Sequence, residues 1–175
     1  IKTEWGFPPL KTFSIGLKGA TDLDYAISVA DQIYSEHHTI ECTESEFLEA
    51  IPEVIYNIES YDTTTVRASV GNYLVAKHIK EDKHTDIAVL FNGDGSDEQS
   101  GYKYLNKAPN PQEFNDECHK LLHNIQFFDG LRSDRSVSSK WGLEARTPFL
   151  DKTFVEYYMS IDPILKMYKE NGLIE

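Results

Sequence analysis

Short β-prone runs that alternate with amphipathic helical stretches constrain the fold of this chain more than any other feature. Residues 12–17 alternate as in a strand, and residues 38–42 and 87–91 form two further predicted strands. Between the first two strands, apolar side chains recur at helical spacing as far as Ile33, and Asp22 is the expected cap of that helix. Strands that alternate with helices favour parallel pairing, so the pattern predicts an α/β fold in which three strands share one thin sheet.

Caps and apolar periodicity predict the remaining helices. Thr43 and Glu46 have the spacing of a capping box, so a helix begins there. Pro52 lies inside that helix and should kink it or start a second one. Further helices are expected over residues 65–81, from 111 to 128, and from a cap at Asp151 to the pair Asp162-Pro163, whereas 130–142 is polar and partly loop.

Composition argues against several classes of function. Seventeen Lys and Arg against 29 Asp and Glu give a net charge of −12, which disfavours binding to nucleic acid or to an anionic membrane. Cys42 and Cys118 are in no paired spacing and no stretch reaches transmembrane length, so a cytoplasmic setting is expected. The histidines form no zinc motif. A chain of 175 residues fits one domain or, as we expect here, part of a longer α/β protein.

A glycine-rich acidic run, Asn-Gly-Asp-Gly-Ser-Asp-Glu over residues 92–98, directly follows the third predicted strand. Ligands of parallel sheets bind beyond the carboxyl ends of the strands. Gly93 and Gly95 let backbone amides approach such a ligand closely. The run is not a P-loop, a G-x-G-x-x-G motif or an EF-hand loop. Its three acids are Asp94, Asp97 and Glu98. The run is therefore either a solvated turn or a site for a cationic or phosphate-bearing ligand.

Two other polar runs have both a structural and a functional interpretation. Residues 63–65 are three threonines, which can supply a helix cap. Arg67 then lies in the first helical turn, where a cation opposes the helix dipole, so we expect it to face a carboxylate of the protein or of a ligand. Further along the chain, Glu144 and Arg146 are interpreted as an internal ion pair.

Together these runs resemble the synthetase domain of glutamine-hydrolysing asparagine synthetases. Residues 92–98 resemble the family's Ser-Gly-Glu-Gly-Ser-Asp-Glu loop, and Gly101-Tyr102 and residues 104–109 are similar to its following Gly-Tyr and Tyr-Phe-His-Lys-Ala-Pro segments. The runs ESYDTTTVRAS, GLEARTPFLD and KTFSIGL also match family segments, in the same order. The resemblance therefore covers essentially the whole chain.

The resemblance implies that residues 1–175 are part of an asparagine synthetase domain of the adenine-nucleotide α-hydrolase (PP-loop ATP pyrophosphatase) type, with helices on both faces of its sheet. Such a ligase uses ATP and Mg²⁺ to activate aspartate as β-aspartyl-AMP. Ammonia from glutamine, made in a separate glutaminase domain, then displaces AMP to give asparagine. The sequence is compatible with a homodimer, and its acidic composition argues against nucleic-acid and membrane partners.

The same resemblance assigns roles to individual residues. Asp97 would hold Mg²⁺ with the pyrophosphate, and Asp94 would replace the family's loop glutamate as the base that deprotonates ammonia. Arg67 would act on the aspartyl group, together with Thr64 and Thr65. The other expected contacts are nucleotide binding by Ile15, Asn92, Gly93, Gly95 and Ser96, and substrate binding by Glu98.

The chain also departs from the family pattern. The Ser-Gly-Gly-x-Asp-Ser-Ser pyrophosphate loop, the glutaminase domain and a downstream phosphate-binding lysine are absent from these 175 residues, so the chain alone is expected to be inactive. Asn92 and Asp94 replace the family's serine and glutamate. A non-catalytic binding remnant and a sibling ligase such as a β-lactam synthetase remain alternatives, although the run YKYLNKAPN favours the asparagine branch.

Overall fold

The computed structural model describes residues 8–81, 86–128 and 132–167, which divide into two compact units. Unit 1 comprises Ile1–Ala88 and Arg135–Leu143, and unit 2 comprises Val89–Asp134 and Glu144–Glu175. No helix in the described ranges is both long enough and apolar enough to cross a membrane.

Unit 1 contains a two-stranded parallel sheet with a helix on each face. Strand β1 (Lys11–Leu17) pairs in parallel with β2 (Glu36–Cys42), and helix α1 (Thr21–Ile33) connects them. The face of β1 at Gly16 lies against α1, because a Cβ there would be 3.1 Å from Cγ of Leu23. Its neighbour Ile15 faces the opposite side and packs on α3 (Thr63–Glu81). The predicted helices on both faces are thus present around this sheet.

Helix α1 does not begin as predicted. Asp22 is not its cap, because the chain turns one residue earlier, where the N–H of Ala20 donates to the carbonyl of Leu17 over 3.0 Å. Ala20 is the capping residue, without a side-chain hydrogen bond, and the helix starts at Thr21. Asp22 lies in the first turn, where its charge complements the helix dipole.

Helix α2 (Glu44–Ile58) confirms the predicted capping box. Thr43 Oγ1 accepts from the N–H of Glu46 over 3.3 Å, and the N–H of Thr43 donates to Glu46 Oε2 over 2.7 Å. The helix continues through Pro52, so no second helix begins there. Apolar side chains on one face of α2 pack against apolar side chains of α3 and form a hydrophobic core of unit 1. The members from α2 are Ala50, Val54 and Ile58, and those from α3 are Val66, Val70, Tyr73 and Leu74.

The capping box predicts a pH dependence of stability. The bonds from the backbone and hydroxyl of Thr43 lower the pKa of Glu46 below its ordinary value, so its charge stabilises the folded state above that value and the effect is lost as the pH falls through the lowered pKa. Glu46→Gln keeps an acceptor for the backbone N–H but removes the charge. We expect it to unfold at lower urea than the parent at pH 7, with the difference shrinking as the pH falls through the lowered pKa of Glu46.

The matched control is Glu44→Gln, which removes a charge from the same first turn at a residue without a capping bond. If both variants show the same pH dependence in urea unfolding, general charge effects account for the result and the capping box does not.

Helix α5 (Arg132–Ser138) occupies most of a stretch predicted as polar and partly loop, although Gly130 of that prediction lies outside the described residues. Its second half belongs to unit 1, where Arg135 Nη1 donates to the carbonyl of Ile58 over 3.0 Å. The buried residues there are Ser136 and Val137. Because only one of these two buried residues is apolar, the segment has no apolar periodicity, which explains why the sequence does not reveal this helix.

Unit 2 contains the second sheet. Strand β3 (Val89–Phe91) is shorter than the predicted 87–91 and pairs in parallel with β4 (Glu144–Arg146). The prediction of one three-stranded sheet is therefore wrong, because the described strands form two two-stranded sheets. Three residues are too few for β4 to show a strand periodicity, so the sequence did not predict it.

The helices of unit 2 follow the predictions closely. Helix α4 (Pro111–Phe128) buries Phe114 and Cys118 against Leu105. Helix α6 (Lys152–Ser160) begins after Asp151, whose Oδ1 accepts from the N–H of Phe154 over 3.0 Å, as predicted. The Asp162-Pro163 pair ends this segment and also starts a short additional helix, α7 (Pro163–Lys166).

Candidate functional site

The acidic glycine loop leaves the carboxyl end of β3 in unit 2. The N–H of Asn92 donates to the carbonyl of Arg146 over 3.0 Å, which extends the β3–β4 pairing by one bond. Asn92 Oδ1 then accepts from the N–H of Asp94 over 3.1 Å, and Ser96 Oγ donates to the carbonyl of Gly93 over 2.9 Å. Its own polar groups therefore fold the loop into a tight turn, and Gly93 is exposed at the first position of that turn.

Gly95 is required at its position for two reasons. Its φ of +92° lies in a region that residues with a side chain rarely adopt. A Cβ there would also overlap Cδ2 of Leu150 and lie 2.5 Å from its Cγ. The glycine therefore allows the loop to pack directly on the 3-10 turn Pro148–Leu150.

The three acids of the loop have different environments. A π-helical turn, Asp97–Gly101, follows the loop, and Asp97 is exposed. Glu98 is 5% exposed, and its Oε1 accepts from Tyr102 Oη over 2.8 Å, so this predicted substrate contact is turned into the unit. Asp94 is half-buried. The described residues contain no group of three or more His, Cys, Asp or Glu side chains that could hold a metal ion. A cation at this loop would therefore need further ligands besides the carboxylates of the loop.

Two polar residues stabilise this turn, and neither of them was identified from the sequence as part of the site. The side chain of Gln99 is 2% exposed, and its Nε2 donates to the carbonyls of Gly95 over 3.0 Å and of Phe149 over 2.7 Å. Ser100 Oγ and Tyr158 Oη lie 2.6 Å apart, which links the turn to α6. In the sequence, Gln99 and Ser100 look like ordinary polar residues of a loop. Their role in supporting the turn becomes apparent only from the fold.

The threonine run lies at the start of α3 in unit 1. The predicted threonine cap is wrong, because Asp62 is the capping residue: its Oδ1 accepts from the N–H of Thr65 over 2.8 Å and from Thr65 Oγ1 over 3.0 Å. These bonds, the backbone one first, lower the pKa of Asp62. Thr64 is exposed in the same turn. The acid that precedes the threonines is the signal that would have found the cap.

Arg67 is exposed and forms no ion pair or hydrogen bond with the described residues. The prediction that it faces a carboxylate of the protein is therefore not met within those ranges, and the alternative of a ligand carboxylate stays open. By contrast, the predicted ion pair between Glu144 and Arg146 is present. Ile15 is half-buried against the core of unit 1.

Comparison with known proteins supports the resemblance seen in the sequence. The family model described as asparagine synthase matches residues 2–113 and 100–173. The human glutamine-hydrolysing asparagine synthetase is 47% identical over 166 residues, which are 94% of this chain and 29% of the human protein. The chicken protein of the same name is 48% identical over 94% of this chain and 29% of the chicken protein. The rat protein is 46% identical over 92% of this chain and 28% of the rat protein.

The chain therefore belongs to the asparagine synthase family. It spans under a third of the length of these curated relatives.

Proposed function

We propose that this chain supplies part of a domain that converts aspartate to asparagine at the expense of ATP, through β-aspartyl-AMP and with ammonia from glutamine. The observation that carries the proposal is the guanidinium of Arg67, which is exposed and forms no ion pair with any acid in the described part of the chain. Arg67 lies in a segment that resembles the family's aspartate-binding run. The relatives named above are glutamine-hydrolysing asparagine synthetases. The β1–α1–β2 unit with helices on both faces supports an adenine-nucleotide α-hydrolase fold.

The loop is proposed to bind the nucleotide. Gly93 is exposed at the first position of the turn, where its backbone amide can meet an anion. Asn92, Gly95 and Ser96 fix the shape of the turn around it. In unit 1, the backbone of Ile15 is proposed to contact adenine.

Asp97 is the proposed ligand of Mg²⁺. Its carboxylate is exposed and makes no hydrogen bond or ion pair with the part of the chain that the structure describes, so both oxygens remain available. This fits Mg²⁺, which usually takes one or two carboxylates and completes its coordination with phosphate oxygens and water. When bound, the ion neutralises charge on the phosphates of ATP.

The aspartyl group is proposed to bind at the start of α3. Arg67 presents a planar fork that matches a carboxylate, and Thr64 lies exposed beside it. The Thr65 hydroxyl already donates to Asp62, so it can only accept from a ligand unless that bond is exchanged. A direct role for Glu98 remains a prediction, since Tyr102 already donates to its carboxylate.

Substitution of Arg67 by Lys tests the proposal because it retains the charge and removes the fork. In the complete gene product we expect the KM for aspartate to rise by roughly tenfold or more, since a charge-assisted hydrogen bond contributes about 1.5–3 kcal/mol. Arg146→Lys is the control, because the guanidinium of Arg146 already pairs with Glu144. Unchanged KM and kcat in Arg67→Lys would remove Arg67 from the aspartate site, whereas a folded parent protein without any aspartate-dependent activity would favour the non-catalytic alternative.

A sibling amide-forming ligase is distinguished by its substrate. Such an enzyme would release pyrophosphate with a carboxylate other than aspartate. Measuring pyrophosphate release with a series of carboxylates therefore distinguishes a sibling ligase from an aspartate-specific enzyme.

A further inference from the structure

Gly101 is a glycine that its backbone does not require. Unlike Gly95, it is not among the described glycines with positive φ. The constraint is a neighbouring side chain: a Cβ at Gly101 would overlap Oδ1 of Asp97 and lie 3.2 Å from its Cγ and 3.4 Å from its Cβ. The space that a side chain would fill at this position is therefore occupied by the Asp97 carboxylate.

The π-helical turn brings these two residues together. The N–H of Tyr102 donates to the carbonyl of Asp97 over 3.3 Å, which closes a turn one residue wider than an α-helical one. Such turns are common at functional sites. Asp97 consequently rests over Gly101 while it stays exposed to solvent.

We propose that Gly101 is a positioning residue that sets the direction of the Asp97 carboxylate towards a divalent cation. The inference rests on the proposed metal role of Asp97. It adds that Gly101, which has no side chain, leaves the space that the Asp97 carboxylate occupies. In Gly101→Ala the new methyl group must displace Oδ1. The end of a flexible side chain moves more easily than the surrounding backbone, so the carboxylate swings away while the turn stays folded.

The test is a titration of the ¹⁵N-labelled chain with Mn²⁺, which broadens the amide signals of nearby residues. In the parent we expect low Mn²⁺ to broaden the amides of residues 94–98 more than those elsewhere in the chain. Gly101→Ala should lose most of this selective broadening and keep its melting temperature. The net charge of −12 attracts Mn²⁺ weakly everywhere, and that general broadening should be the same in all variants.

Gly71→Ala in α3 is the matched control, because a Cβ at Gly71 would lie at an ordinary contact distance of 3.7 Å from Cγ2 of Ile15 and its backbone is not left-handed. It should retain the selective broadening. Asp97→Glu added to Gly101→Ala should restore part of it, since the longer side chain can reach around the methyl group.

The outcomes separate the inference from the proposed function. If Asp97→Asn leaves the broadening of the loop intact, the metal role of Asp97 fails and the role of Gly101 fails with it. If Asp97→Asn removes the broadening but Gly101→Ala does not, only the inference about Gly101 is overturned. A large fall in the melting temperature of Gly101→Ala would also overturn it, because the backbone and not the carboxylate would then have yielded.

Discussion

Asp94→Asn in the complete gene product is expected to slow asparagine formation by about 10²-fold or more while pyrophosphate release continues. A positioned general base contributes roughly 10²–10⁴-fold. An asparagine still presents an oxygen to the site but cannot take a proton from ammonia. Asn92 Oδ1 accepts from the N–H of residue 94, and this bond does not depend on the side chain there, so the turn should survive. Both products are measured at saturating ammonia.

Asp94→Glu and Asp116→Asn are the controls for this prediction. Asp94→Glu restores the family's residue and should retain amide formation, whereas Asp116 is an exposed acid on α4 whose loss should change neither rate. The competing interpretation is that Asp94 only closes the Gly-Asp-Gly turn, where asparagine is an equally good turn residue. Parent rates for both products in Asp94→Asn would establish that interpretation and end the catalytic assignment.

Gly95→Ala is expected to be the most destabilising change in the loop. The methyl group would overlap the Leu150 side chain, and overpacking of this kind costs about 1–3 kcal/mol. The left-handed backbone adds roughly 1–2 kcal/mol for a residue with a Cβ. Urea unfolding should therefore show a loss of about 2–5 kcal/mol. Gly93→Ala, with open space around it, should be close to neutral.

A double-mutant cycle with Leu150→Ala separates the two contributions. Removing the leucine side chain relieves the overlap but leaves the backbone strain, so Gly95→Ala should cost much less in the Leu150→Ala background. An equal cost in both backgrounds would mean that Leu150 does not determine the need for glycine at this position.

The sequence predicted elements whose signals are local. Asp151 caps α6 through the N–H of Phe154, and Thr43 and Glu46 form the capping box, because each cap needs only residues a few positions away. Asp22 was assigned wrongly because the turn at Ala20 starts the helix one residue earlier. Strand β4 was missed because its three residues are paired only by tertiary contact with β3.

The candidate site shows the same division. The glycine loop was found from its composition and its place after a strand, and Gly95 has the positive φ that such a loop needs. Gln99 was not found, because its role depends on the carbonyl of Phe149, which is 50 residues away in sequence. The contact between Asp97 and Gly101 depends on a π-helical turn, which no sequence periodicity indicates.

The most direct test of the proposed function is the aspartate-dependent exchange of labelled pyrophosphate into ATP by the complete gene product. We expect exchange that requires aspartate and Mg²⁺, and we expect Asp97→Ala to abolish it. Exchange that proceeds equally without aspartate, or no exchange at all from a folded protein, would contradict the assignment of this chain to an aspartate-activating domain.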